Sequence, residues 1–224
     1  MAFILNIETS TTVCSVSISE NDTLLASKEI DNGYSHAENL HVFIKELLTE
    51  INLNPNDLNA VAVSKGPGSY TGLRIGISSA KGLCYALNIP LISINTLQIL
   101  ANCIENKHEK YFYCPMLDAR RMEVYTAVYD FNLNEDLPTE ALIVDEQSIE
   151  KYKKYSSIYF FGDGMPKCKE LLSALPNANF IEEVKPSAKN MVNLSYQKII
   201  NKQFEDVVYF EPFYLKDFMI TSKK

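Results

Sequence analysis

The sequence predicts an α/β fold in which one order of elements is laid down twice: three strands, a helix, a strand and a helix. Three observations predict it. Short apolar or alternating runs give way to helical spacing in the same order in each half. The chain has 224 residues, which suits one large domain or two modest lobes. Hydrophobic residues make up 46% and charged residues 22%, enough apolar material for a buried core and too much for a disordered chain.

The elements follow in order. Residues 2–7 form a short apolar run that reads as a buried strand. In residues 13–18, Val13, Val16 and Ile18 alternate with serines. Asn21-Asp22 supplies a hairpin turn, and residues 23–30 give the third strand. The period then changes, because Leu40, Phe43, Ile44, Leu47, Leu48 and Ile51 follow helical spacing after a capping-box start at Ser35-His36-Ala37-Glu38. Asn54-Pro55-Asn56 breaks the chain before a fourth strand at 60–63. Lys65-Gly66-Pro67-Gly68 leads into a helix over about 69–87, Asn88-Ile89-Pro90 stops it, and a strand at 91–94 and a helix at 96–105 close the half.

The second half repeats the order. Strands are expected at 111–117 and 123–129, joined at Asp118-Ala119-Arg120-Arg121, with a third at 141–144. A weak helix at 146–154 and a strand at 157–161 follow. Gly162-Asp163-Gly164 turns into a helix over 166–175, and a long helix spans 187–201. The halves hardly match residue by residue, so the duplication is one of topology. The boundary falls in the polar stretch 106–109, giving lobes 1–105 and 106–224, with the final helix or tail returning to the first lobe.

Charge and thiols limit the function. Lys and Arg total 21 against 28 Asp and Glu, a net charge of −7, and no basic stripe is present. Such a chain is poorly suited to binding nucleic acid or an anionic membrane by itself. Five cysteines, with no C-x-x-C pair, point to reduced thiols rather than a disulfide or zinc framework. No signal peptide or membrane span is expected, so the reading is cytoplasmic. His36, His41 and His108 include no H-x-x-x-H pair and are expected to be solvated or capping.

Several constellations could carry chemistry. Glu8-Thr9-Ser10-Thr11-Thr12 at the end of the first strand could hold a phosphate or a metal-bound water. It could equally be a turn whose hydroxyls satisfy the backbone. The loop running from Lys65 through Gly66, Gly68 and Ser69 to Arg74 opens a helix, where backbone N–H groups suit an anion. In that helix Gly72, Gly76 and Ala80 recur every fourth position, and only Thr71, Arg74, Ser78, Lys81 and Tyr85 form a polar strip. A helix apolar around most of its circumference is buried on more than one side. The second side packs within the chain or against a partner, and the wheel leaves both open.

The element order resembles the actin-like ATPase (ribonuclease H-like) architecture, a duplicated fold of two lobes, each a mixed sheet flanked by helices. Particular residues narrow the likeness. Ile4 to Ser10 with Cys14-Ser15-Val16, the run from Gly66 to Gly76, Leu117-Asp118-Ala119-Arg120 with Glu123-Val124-Tyr125, and Glu211-Pro212-Phe213-Tyr214-Leu215-Lys216 together resemble the TsaB (YeaZ) family. Lys216 stands where arginine is usual.

The resemblance implies a non-catalytic scaffold subunit. It would bind and activate TsaD, a paralogous threonylcarbamoyltransferase, in making N6-threonylcarbamoyladenosine at the tRNA adenosine beside the anticodon. It also implies docking of TsaE, a small ATPase, a homodimer in isolation, contact with tRNA only through the complex, and no membrane. ATP is used by the complex, and no cofactor is assigned to this chain. The metal-binding H-x-x-x-H of the catalytic paralogue corresponds here to Thr96 and Leu100, neither of which can replace an imidazole ligand.

The partner interface is assigned to Leu40, Phe43, Leu47, Gly72, Leu73, Gly76, Ile77 and Ala80. The candidate anion or nucleotide loops are Thr9, Ser10, Gly66, Gly68, Ser69, Asp118, Gly162 and Gly164. No catalytic or metal-binding residue is assigned. Two alternatives compete with the scaffold reading. One is a free-standing ATP-dependent phosphotransferase, although Glu8 and Arg120 depart from the D-x-G expected at both hairpins. The other is a metallopeptidase.

Overall fold

The computed structural model describes residues 1–33 and 35–216. It contains two five-stranded sheets of the same design. In the first, β1 (Phe3–Glu8), β2 (Cys14–Glu20), β3 (Thr23–Ile30), β4 (Leu58–Gly66) and β5 (Leu91–Asn95) lie in the order β3-β2-β1-β4-β5. In the second, β6 (Phe112–Asp118), β7 (Glu123–Tyr129), β8 (Glu135–Ile143), β9 (Ile158–Phe161) and β10 (Ala178–Ile181) lie in the order β10-β9-β6-β7-β8. Reversed, that is the first order again. In each sheet the first three strands are antiparallel, and the last two run parallel beside the first.

Helix α1 (His36–Glu50) crosses from β3 to β4, and α2 (Tyr70–Leu87) from β4 to β5. Both cover one face of the first sheet, where Leu5, Ile7, Val16, Val61 and Val63 meet Leu40, Ile44, Leu47, Leu73, Ile77 and Ala80. The opposite face is covered from the far end of the chain. Ala188 and Met191, in a 3-10 turn, and Leu194 and Ile199 of α5 (Val192–Ile200) pack on Ile4, Ala60, Ala62, Ile92 and Ile94. With both faces covered, β1 and β2 are buried along all but one end residue each, Phe3 and Glu20. The serines of β2 follow from this. Their alternation with apolar residues suggests a solvated face, yet Ser15, Ser17 and Ser19 are fully buried. The returning segment satisfies two of them: Ser17 Oγ donates to Ala188 O (2.9 Å), and Ala188 N donates to Ser15 Oγ (3.0 Å).

Helix α3 (Thr96–Asn102) belongs to both sheets. Ile99 packs with Ile92 and Ile94, whereas Leu97, Leu100 and Ala101 pack with Tyr113, Leu117, Tyr129 and Phe161 of the second sheet. Helix α4 (Met165–Leu172) covers the outer side of that sheet through Met165, Cys168 and Leu172.

Several expected elements differ in detail. Strand β8 begins at Glu135 rather than 141, because the turn around Asp130, held by N–H groups of Asn132 and Asn134, starts pairing with β7 earlier. Strand β10 was not expected, being a four-residue edge strand with no strong alternation. The weak helix at 146–154 is a 3-10 stretch, Ser148–Lys154. Ser35 does not cap α1: its hydroxyl donates to Asn32 Oδ1 instead.

Candidate functional site

The candidate loops gather into two groups, each at the end of the first strand of a sheet. At the end of β1, Glu8, Thr9 and Ser10 are all buried. Ser10 N donates to Glu8 Oε1 at 2.6 Å, Thr9 Oγ1 donates to Gly72 O at 2.8 Å, and Ser69 N donates to Ser10 O at 2.7 Å. The carboxylate of Glu8 therefore takes the turn N–H that an incoming anion would need. Burial raises the Glu8 pKa against the lowering effect of hydrogen bonds from Ser10 and Ser64. Of the two sequence readings, the geometry favours the turn that bonds to its own chain, with Val13 N donating to Thr11 Oγ1 at 3.3 Å, although Glu8 Oε2 and Ser10 Oγ are buried without a hydrogen-bond partner among the described residues.

The row of small residues on α2 has the same explanation. A Cβ at Gly68 would overlap Ser10 O, at Gly72 it would overlap Thr9 O, and at Gly76 Thr9 Oγ1. The spacing of four brings Gly72 and Gly76 onto one helix side, which lies directly against the β1–β2 turn, and Gly68, just ahead of the Ser69 cap, meets the same turn. Ser69 caps the helix, its Oγ accepting from Gly72 N. Gly66 leaves room for the backbone of Phe213, whose N–H donates to Lys65 O at 2.7 Å.

The second group repeats this arrangement. Gly162 lies against Met116 O and Leu100, and Gly164 against Leu117 and Asp118. Asp118 N donates to Asp163 Oδ1 at 2.9 Å, and the Asp118 carboxylate pairs with Lys167 while accepting from Arg120 N. In both halves the glycines are packing devices that hold a strand end beneath a helix start.

The assigned partner-interface residues require a correction. Leu40, Leu47, Leu73, Ile77 and Ala80 belong to the core beneath α1 and α2, and Gly72 and Gly76 are buried against Thr9. Phe43 alone is partly exposed. The wheel could not distinguish a side facing the chain's own turn from one facing a second molecule, because both require small residues. What these helices present outward is different. Val42 is 48% exposed and Tyr85 82%. Between the helices a groove of about 570 Å³ is lined by His41, Ile44, Leu48, Leu53, Pro55 and Leu83, among others. His41 and Ser79 hydrogen-bond across the helix pair (3.1 Å).

The histidine expectation is corrected for His36. It is 1% exposed and its Nε2 lies 2.9 Å from Thr11 O, so the ring donates from Nε2. Burial lowers its pKa. Among the described residues, no group of three or more His, Cys, Asp and Glu is placed to hold a metal ion. Thr96 and Leu100 are both fully buried. Among the described residues, no helix is long and apolar enough to cross a membrane.

A tie the sequence does not disclose joins the C-terminal segment to the rest. Glu205 accepts from Ser93 Oγ, Lys81 Nζ donates to Val208 O and Phe210 O, and Lys216 pairs with Glu123 of β7. A second tie, in which Lys185 pairs with Asp31 and Ser187 Oγ donates to Glu29, fastens the segment before α5 to β3.

The repeated strand order, with its helices and glycine-held strand ends, defines a duplicated ribonuclease H-like protein of the actin-like ATPase class. A family model described as TsaD, tRNA N6-adenosine threonylcarbamoyltransferase, matches residues 31–222. The tRNA threonylcarbamoyladenosine biosynthesis protein TsaB of Escherichia coli K12 is 30% identical over 220 residues, covering 96% of this chain and 94% of the relative. Its namesake from Buchnera aphidicola of Acyrthosiphon pisum is 31% identical over 89% of this chain and 90% of the relative. The solved structure of YeaZ from Pseudomonas aeruginosa superposes with a TM-score of 0.84 at 25% identity, covering 96% of this chain and all of that one. The chain belongs to the TsaB family, within the wider family that the TsaD model describes.

Proposed function

We propose that the chain is a non-catalytic scaffold subunit in the biosynthesis of tRNA threonylcarbamoyladenosine. It binds and activates a TsaD-type threonylcarbamoyltransferase that acts on the tRNA adenosine beside the anticodon. Family membership supports the pathway. The observation that carries the scaffold reading is the outward surface of α1 and α2, which offers a largely apolar groove on one flank and, apart from it, the exposed Val42 and Tyr85. An exposed apolar face of this kind marks an interaction site. In this reading the same face forms a homodimer when the chain is alone, a TsaE-type ATPase docks on the assembled pair, tRNA is met only through the complex, and ATP is consumed by the complex.

The internal use of the β1–β2 turn favours this reading over a phosphotransferase. An anionic ligand there would have to displace Glu8 from its own backbone. The test is transfer of the threonylcarbamoyl group to tRNA by the chain alone, by a purified TsaD-type paralogue alone, and by the two together. Activity only in the mixture is expected, and activity of the chain alone would overturn the proposal. Tyr85→Ala should weaken association with the paralogue by roughly tenfold or more, as truncation of an interface aromatic does, while leaving the melting temperature unchanged. Titration calorimetry reads the first and circular dichroism the second.

A further inference from the structure

Resting on the scaffold reading, we infer that a pocket between α2 and the C-terminal segment receives an acidic side chain of the TsaD-type partner. The pocket, about 240 Å³, is lined by Arg74, Ile77, Lys81, Phe210, Pro212 and Tyr214, together with Ser78 and the carboxylate-bearing Glu211.

Helix α2 carries two cations, Arg74 and Lys81, and no acidic residue, in a chain of net charge −7. They lie seven residues apart, so both fall on the polar strip that ends at Tyr85. Arg74 is held in place rather than left to wander. Its guanidinium lies over the Tyr70 ring, Cζ 4.1 Å from the centroid, and its Nε donates to Tyr214 OH at 3.1 Å. The Tyr70 and Tyr214 rings are themselves 5.0 Å apart.

The two terminal nitrogens of a guanidinium form the fork that fits a carboxylate, and here the group is held between the Tyr70 ring and the Tyr214 hydroxyl. Lys81 spends two donors on Val208 O and Phe210 O, which fixes its ammonium at the same wall. Among the described residues, Arg74 enters no ion pair. Glu211, the carboxylate in the lining, is not paired with it either.

A pre-oriented cation pair flanked by the partly exposed Phe210 and Pro212 has the chemistry of an interfacial anchor: a charged centre beside apolar surface that excludes water when covered. It shares α2 with the proposed partner face, so one partner surface can cover both. The pocket's small volume fits one carboxylate side chain.

The experiment is titration calorimetry of the intact chain with the purified TsaD-type paralogue, at several salt concentrations. Arg74→Gln should weaken binding roughly thirtyfold and flatten the salt dependence, as loss of one partner of a desolvated charge pair does. Tyr214→Phe removes the hydrogen bond but keeps the charge, and should bind nearly as the unmodified chain. Three results would overturn the inference. One is Arg74→Gln binding within about twofold of the unmodified chain, set against that expected loss. Another is Arg74→Gln and Tyr214→Phe weakening alike with the salt dependence intact, which marks a structural role. The third covers a variant that does not fold: affinity of the unmodified pair that is independent of salt. If the unmodified chain does not bind the paralogue at all, the scaffold reading itself falls, and this inference falls with it.

Discussion

The glycines of α2 can be told apart by what a single methyl group would meet. At Gly76 it would strike Thr9 Oγ1 and at Gly72 Thr9 O, whereas at Gly82 it meets nothing within 4 Å. Gly76→Ala should therefore cost about 1–3 kcal/mol, and Gly72→Ala the upper end of that range or more, because backbone yields less than a side chain. Gly82→Ala should be neutral or stabilising by up to about 1 kcal/mol through helix propensity. Urea denaturation midpoints would show this order, and equal costs at all three sites would refute the packing account. Glu8 gives a pH signature at the same turn. Its folded pKa is raised above 4.5 by burial, so the folded state binds the proton more tightly than the unfolded state. Its favourable contribution is complete below about pH 4.5 and is lost as pH rises through the folded value. Glu8→Gln should then be more stable than the native chain at neutral pH, with the difference shrinking on acidification. A constant difference across a pH series of melting curves would contradict this.

At the scale of elements, α2 depends on its start. The Ser69 cap and the glycine side that follows it fix the helix onto the β1–β2 turn within its first two turns. Ser69→Ala should cost about 1 kcal/mol, the usual value of a capping hydroxyl. Hydrogen exchange should localise the loosening to the first turn of α2 and the Thr9-Ser10 backbone. Exchange that rises uniformly along the helix would argue that packing, not the cap, sets its start. Most elements were legible from sequence because their periodicity is local. β1, β3, α1, α2 and β7 sit close to where the pattern of apolar residues places them. The early start of β8 and the existence of β10 were not legible. Edge strands are specified by their neighbours as much as by their own residues.

At the scale of the whole molecule, α3 is the joint. Its Leu97, Leu100 and Ala101 pack with the second sheet, while Ile99 packs with the first. Leu100→Ala should cost about 2–5 kcal/mol, as a fully buried leucine does. Because the helix serves two cores, amide protection should fall in both sheets. A loss confined to the second sheet would show that the joint carries no coupling. The C-terminal segment binds the halves a second time, from Glu205 at β5 across α2 to Lys216 at β7.

The sequence alone determined the duplicated order of elements, the strands and helices of its strongest periodicity, and the family, because these reside in local patterning and short motifs. It also marked the glycine loops and the small-residue row as special. Only the tertiary structure decided what faces them. Gly72 and Gly76 receive Thr9 of the same chain, Ser15 and Ser17 receive a backbone from more than 170 residues away, and His36 is buried rather than solvated. The physical reason is common to all three. A small or polar residue records that something must come close or be hydrogen-bonded, but not which part of the chain, or which molecule, will do so.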